Sequence, residues 1–184
     1  MIRPSREQVA AAAGRMVPDL IAADLSVLFC GINPGLYSGA TGHHFARPGN
    51  RFWPALAAAG FTDGVVRPWE ERRLLEAGLG ITNLVRRATA NAAELEPTEL
   101  VKGRAALARK VRRYRPRTVA VLGIGAYRVA FERPRAVAGK QSDRIAGATL
   151  WVLPNPSGLN ANHQLADLAR AFAELRDFVS GGDR

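Results

Sequence analysis

Four short apolar runs, SVLFCGI (26–32), GITNLV (80–85), TVAVLG (118–123) and TLWVLPN (149–155), constrain this chain more than anything else in it. Each is apolar at consecutive rather than alternate positions. A strand needs that pattern when both of its faces are buried, as in a parallel sheet covered on two sides. Helical patterns separate the runs, at roughly 5–15, 50–60, 69–77, 97–114, 124–132 and 162–179, the last with Leu165, Leu168, Phe172 and Leu175 at helical spacing. The expected fold is α/β, a three-layer sandwich with a central, mostly parallel sheet of four to five strands and helices on both faces. No linker divides the 184 residues, so a single domain over 1–184 is expected. It would begin with an N-terminal helical segment (1–24) capped by Ser5 and end in a frayed tail at 180–184.

Charge narrows the partners. Against 16 acidic residues stand 26 basic ones, a net charge of +10, which favours a polyanion. Part of the excess has a local explanation: the basic stretch from Lys102 to Arg117 follows Glu94, Glu96 and Glu99, as a helix dipole favours with no ligand at all. No apolar run approaches the ~18 residues of a membrane span, so a soluble, cytoplasmic protein is expected. The single cysteine, Cys30, sits in a strand-like run and reads as core. His43 and His44 have no Cys, Asp or Glu at ligand spacing and His163 stands apart, so no metal is expected. Cofactors are not expected either: GINPGLYSGATG lacks the Gly-Lys-Ser/Thr ending of a phosphate loop, and GIGAYR (123–128) lacks the third glycine of a dinucleotide fingerprint.

Ligands of open parallel sheets bind beyond the carboxyl ends of the strands, so the loops at 31–53 and 154–163 are the places to look. In the first, Pro34 and two glycines hold Asn33 at a strand end, as an amide suited to orienting a water or ligand but unable to take a proton as a carboxylate does. Phe45 belongs to no apolar period and is free to stack on a base, whereas Phe52 and Trp53 open a helix and read as core. In the second loop, Leu159 lies among small polar residues after two prolines and a glycine. On these residues alone it reads as a loop whose leucine folds back onto the protein.

GINPG, PGNRFW, TNLV and LPNPSGL together resemble the mismatch-specific uracil/thymine DNA glycosylases, colinearly over about 25–179. The resemblance implies a monomeric bacterial repair enzyme acting on double-stranded DNA that carries a mismatched or damaged base. It would flip uracil, or in some members thymine, from a G·U or G·T pair, at a cost of a few kcal/mol that is smallest for a mismatch. It would then hydrolyse the N-glycosidic bond to leave an abasic site, with no lyase step and no cofactor. By the same resemblance Asn33 positions the water, and Gly31, Ile32, Pro34, Gly35, Ser38, Phe45 and Asn83 receive the base. Asn155, Pro156, Ser157, Gly158, Leu159 and Asn160 form the intercalating loop, with Leu159 entering the vacated stack and backbone near Gly158 and Asn160 meeting the widowed guanine. Two departures stand out: Ala161 where relatives often carry arginine, and Ala93 where relatives commonly place a polar group beside the pocket. The alternatives are a non-catalytic mismatch-DNA-binding protein and, further off, a nucleotide-binding Rossmann-like domain.

Overall fold

A computed structural model describes residues 3–158 and 164–181. Its elements are α1 (Arg6–Ala10), β1 (Val27–Gly31), α2 (Leu36–Thr41), α3 (Phe52–Ala58), α4 (Arg73–Glu76), β2 (Leu79–Asn83), α5 (Pro97–Tyr114), β3 (Thr118–Leu122), α6 (Ile124–Ala130), β4 (Gly139–Ile145), β5 (Ala148–Leu153) and α7 (Leu165–Gly181). Short 3-10 turns occupy Pro68–Glu70 and Ala92–Glu94. The five strands form one sheet in the order β2-β1-β3-β5-β4, parallel throughout except for β4, which runs against β5.

The pleat explains why consecutive positions are apolar. Phe29, Ile81, Ala120, Leu122, Trp151 and Leu153 point to one face, where α3, α4 and α7 cover them with Phe52, Leu56, Leu74, Leu168 and Phe172. Leu28, Cys30, Val119, Val121, Leu150 and Val152 point to the other, under Leu100, Leu107 and Val111 of α5 and Tyr127 of α6. Phe29 anchors the first layer, edge-on to Phe52 at 5.4 Å between ring centroids and parallel to Phe172 at 5.9 Å. Each such buried side chain contributes about 1.5–3 kcal/mol. Burial pushes the Cys30 thiol up to about 12, so it is a core residue and no nucleophile.

Three elements depart from the expected pattern. The strand β4, GKQSDRI, carries no apolar run because only alternate side chains turn inward and the strand lies at the sheet edge. It is joined to β5 by Ala146 and Gly147, both at positive φ (46° and 95°), the two-residue turn whose twist suits a hairpin. The short helix α2, LYSGAT between Gly35 and Gly42, has no counterpart among the expected helices. The N-terminal segment is helical only over Arg6–Ala10, behind a capping box in which Ser5 and Gln8 exchange hydrogen bonds. Beyond it the chain turns and extends along β2, where Leu20 and Ile81 exchange both backbone hydrogen bonds (2.9 and 2.7 Å). The helical reading of 1–24 is thereby corrected.

A half-buried ionic cluster fixes that segment. Lys110 Nζ of α5 donates to Asp19 Oδ2 (2.6 Å) and to Thr82 Oγ1 (2.7 Å), and the Thr82 hydroxyl donates to Asp19 Oδ1 (2.7 Å). One base of the basic helix is therefore structural. From β1 the sheet grows outward through β2 on one side and β3 on the other. The loops leaving β1 and β3 part there, and a crevice opens between them at the carboxyl edge. No described helix is long and apolar enough to cross a membrane.

Candidate active site

The crevice is a cavity of about 330 Å³. Ten of the residues expected at the site line it: Gly31, Ile32, Asn33, Pro34, Gly35, Ser38, Phe45, Asn83, Asn155 and Ser157. They arrive from the ends of β1, β2 and β5, and Leu122 at the end of β3 completes the floor.

Asn33 is held by its nitrogen. Nδ2 donates to Thr89 Oγ1 (2.7 Å), to the Arg87 carbonyl (3.0 Å) and to the Pro34 carbonyl (3.2 Å). Two carbonyl oxygens would repel an amide oxygen, so this orientation follows from chemistry. The Thr89 hydroxyl in turn donates to the Asn91 carbonyl (2.8 Å), which sets its lone pair toward Asn33. With the NH₂ group spent, the amide presents its carbonyl oxygen, an acceptor. The segment that supplies these partners is zipped to the first loop by the Thr89 N–H on the Pro34 carbonyl (3.1 Å). Arg87 is fixed from outside by a two-pronged bridge to Glu99, 2.8 Å at each contact. That bridge, with the Glu96 N–H, holds the Glu99 carboxyl down to about 2.

Phe45 supplies the aromatic wall of the cavity. Phe45 lies flat against Phe52, with centroids 4.2 Å apart and planes 25° apart, and its backbone is left-handed (φ 52°). An aromatic residue in that region costs about 1–2 kcal/mol, which packing on Phe52 and the Ala46 N–H bonded to Ser38 Oγ (3.2 Å) help to offset. Gly31 is required for space: a Cβ there would sit 2.5 Å from Asn83 Oδ1 and 3.4 Å from Phe45 Cζ.

His44, absent from the sequence expectations, forms part of the cavity wall. Its Nε2 faces the Pro18 carbonyl at 2.9 Å and must donate, so Nδ1 is the acceptor that Asn83 Nδ2 meets at 3.5 Å. Burial lowers its pKa, against an opposing pull from Glu71, and the ring is neutral at pH 7. Glu71 also clamps the backbone here, accepting the His44 N–H (2.9 Å) and contacting His43 Nδ1 (3.0 Å).

The last loop is docked on the first. The Arg51 N–H donates to the Pro156 carbonyl (3.0 Å) and its guanidinium to the Ser157 carbonyl. Gly158 packs so closely that an added Cβ would meet the Gly49 carbonyl oxygen at 2.6 Å. Asn155 Oδ1 accepts the Ser157 N–H (3.0 Å) and closes the turn. Pro156 and Gly158 brace this loop without lining the cavity. Leu159, Asn160 and Ala161 lie outside the described residues.

Ala93 is exposed on the 3-10 turn and does not line the cavity; Ala90, Asn91 and Ala92 do. Its N–H is capped by Asn91 Oδ1 (3.0 Å), and Glu94 Oε1 turns back onto the Asn91 N–H (2.7 Å). Among the described residues none of those lining the cavity is acidic, and Arg47 lines it as well. Thr89, His44 and Arg51 leave no local signal in the sequence because each acts through a partner distant along the chain. The arrangement suits a flat, neutral, hydrogen-bonding ligand with a water held by an amide carbonyl. A family model described as the Uracil DNA glycosylase superfamily matches residues 18–176.

Proposed function

The chain belongs to the uracil DNA glycosylase superfamily, and on that premise we propose that it removes uracil from G·U mismatches in double-stranded DNA. Thymine opposite guanine and other damaged bases are secondary substrates in this reading, and the protein works as a monomer in the bacterial cytoplasm without a lyase step. The observation that carries it is the captive amide: the side-chain NH₂ of Asn33 is spent inside the protein, which leaves its carbonyl oxygen as the group to offer a base-sized cavity that the residue lines together with Phe45.

The chemistry follows from what the wall contains. With no acidic side chain in the described lining, and with both ring nitrogens of His44 engaged by the Pro18 carbonyl and Asn83, no base is free to deprotonate a water early, so the glycosidic bond breaks first. Its electron pair leaves with the base, and the sugar becomes an oxocarbenium ion. The water held on Asn33 Oδ1 then adds to C1′, and its proton passes through solvent to the departed base anion, so that the products are the neutral base and the abasic sugar. Backbone groups at Ile32 and the turn after it receive the base edge, Asn83 borders it, and Phe45 stacks on its face. Ser38 keeps the loop behind Phe45 closed. Leu159 serves as the wedge, and Gly158 and Asn160 meet the widowed guanine. Support for that role lies in how firmly Arg51 holds the preceding Pro156 and Ser157 carbonyls, because a rigid base lets an apolar tip enter the stack with little loss of entropy.

The acid-free wall also favours a second reading, a protein that binds mismatches without cutting. One assay separates the two. A labelled duplex with a single G·U pair, incubated with the protein and then treated with alkali, yields a strand break if an abasic site has formed. Retention of the duplex with no break means binding alone.

A further inference from the structure

Behind Phe45 lies a second cavity, of about 460 Å³, which shares Phe45, Arg47 and Asn50 with the first. The mechanism makes no use of it. Its walls are aromatic and proline-rich, including Tyr37, Pro48, Pro54 and Trp69. Trp69 is 45% exposed, a large apolar surface for a residue that closes no core, and the Arg67 guanidinium lies over its ring at 5.4 Å. Arg3 and Arg47 also reach this cavity, and among the described residues neither is paired with a carboxylate.

We propose that this second cavity is a nucleotide subsite, which takes an unstacked base of the strand that carries the target residue and holds its phosphate on Arg3 and Arg47. The inference rests on the assignment of the first cavity to the flipped base. Flat aromatic surface combined with guanidinium groups is the combination that holds bases of a single strand without reading their sequence. Continuity decides the occupant. Because the two cavities meet at Phe45 and Arg47, a nucleotide adjoining the target reaches the second without leaving its own strand. In a duplex that neighbour stays paired and stacked, so the subsite fills only when the strand is single. The protein therefore has a second mode, excision from single-stranded DNA, that a guanine-reading loop alone would not give it.

The test compares wild type with Trp69→Ala. A uracil-free single-stranded oligonucleotide, followed by anisotropy, reads the subsite without any chemistry. The expected result is about ten-fold weaker binding for the variant, the order expected for losing one stacked base. Single-turnover excision from a single strand should fall, while excision from a G·U duplex stays unchanged. Trp69→Phe, which keeps a stacking face, should restore binding and guards against a folding defect. Equal binding by wild type and Trp69→Ala overturns the subsite, as does an equal loss on duplex and single strand, or competition by an acidic peptide as strong as that by DNA. If neither substrate is cut but uracil-free binding still depends on Trp69, the subsite stands and the glycosylase reading falls.

Discussion

Replacing Gly31 by alanine should separate the geometry of the base pocket from the stability of the fold. Gly31 ends β1 with an ordinary extended backbone, so alanine meets no conformational strain, and the smaller entropy of the unfolded chain favours it by about 0.4–1 kcal/mol. The new methyl has nowhere to go. At 2.5 Å from Asn83 Oδ1 it must push that amide by roughly half an ångström to reach even the tightest tolerable contact of 3.0 Å. Overpacking of this kind costs about 1–3 kcal/mol, so the net destabilisation is on the order of 1–2 kcal/mol, and the melting temperature drops by only a few degrees. Activity should suffer far more. Asn83 is already at 3.5 Å from His44 and loses that contact as it moves toward the base, and misplacement on the ångström scale lowers rates by about 10²-fold. Single-turnover excision from a G·U duplex at saturating enzyme, with thermal melting alongside, measures both effects. A folded Gly31→Ala protein that excises uracil at the wild-type rate would show that Asn83 does not lie against the base.

Asn33→Ala should abolish most turnover while fluorescence anisotropy still shows G·U duplex binding, since phosphate contacts lie elsewhere; unchanged turnover would remove the amide from the reaction. For His44, burial keeps the folded-state pKa below the ordinary 6.5, so stability is whole above that pH and declines as pH falls toward the lowered value, where only the unfolded chain takes the proton. The slope reaches at most about 1.4 kcal/mol per pH unit, and thermal melts at pH 7 and pH 5 should show wild type losing more than His44→Gln; parallel losses would contradict a buried neutral ring. Gly158→Ala, whose methyl meets the Gly49 carbonyl oxygen at 2.6 Å, should weaken G·U duplex affinity with little change in melting temperature. A large drop in melting temperature at unaltered affinity would make that contact a matter of folding alone.

The sheet was legible because burial on both faces leaves a mark in every residue of β1, β2, β3 and β5. The mark fails at β4, where one face is exposed and the inward positions include Gln141 and Asp143. It also fails for 11–24, where apolar residues are present but backbone hydrogen bonds go to Ile81 of β2 through Leu20 and to Ala88 beyond β2 through Gly14 and Arg15 rather than into a continued helix. At the site, Asn33, Phe45 and Asn83 could be found because strand ends and an unassigned aromatic are visible one residue at a time. Thr89 and His44 could not, since a hydroxyl 56 residues from the amide it orients leaves no periodicity. Ala93, set beside the pocket by the family resemblance, is exposed on the 3-10 turn, while its neighbour Ala92 lines the cavity.

The clasp between Arg51 and the Pro156–Ser157 carbonyls bears on how such proteins exchange parts. Residues 47–51 and 154–158 are far apart along the chain, yet they meet through main-chain atoms, the Arg51 guanidinium and a glycine against a carbonyl oxygen, with no slack for a bulkier neighbour. Neither piece is a module in its own right. A chimaera that imports the tip of one relative into the frame of another must bring both segments or inherit a mismatched seat, and random recombination between the two genes would separate them at most crossover points. Variation in this region should therefore arrive as paired changes, one in each segment, rather than as free drift of the tip.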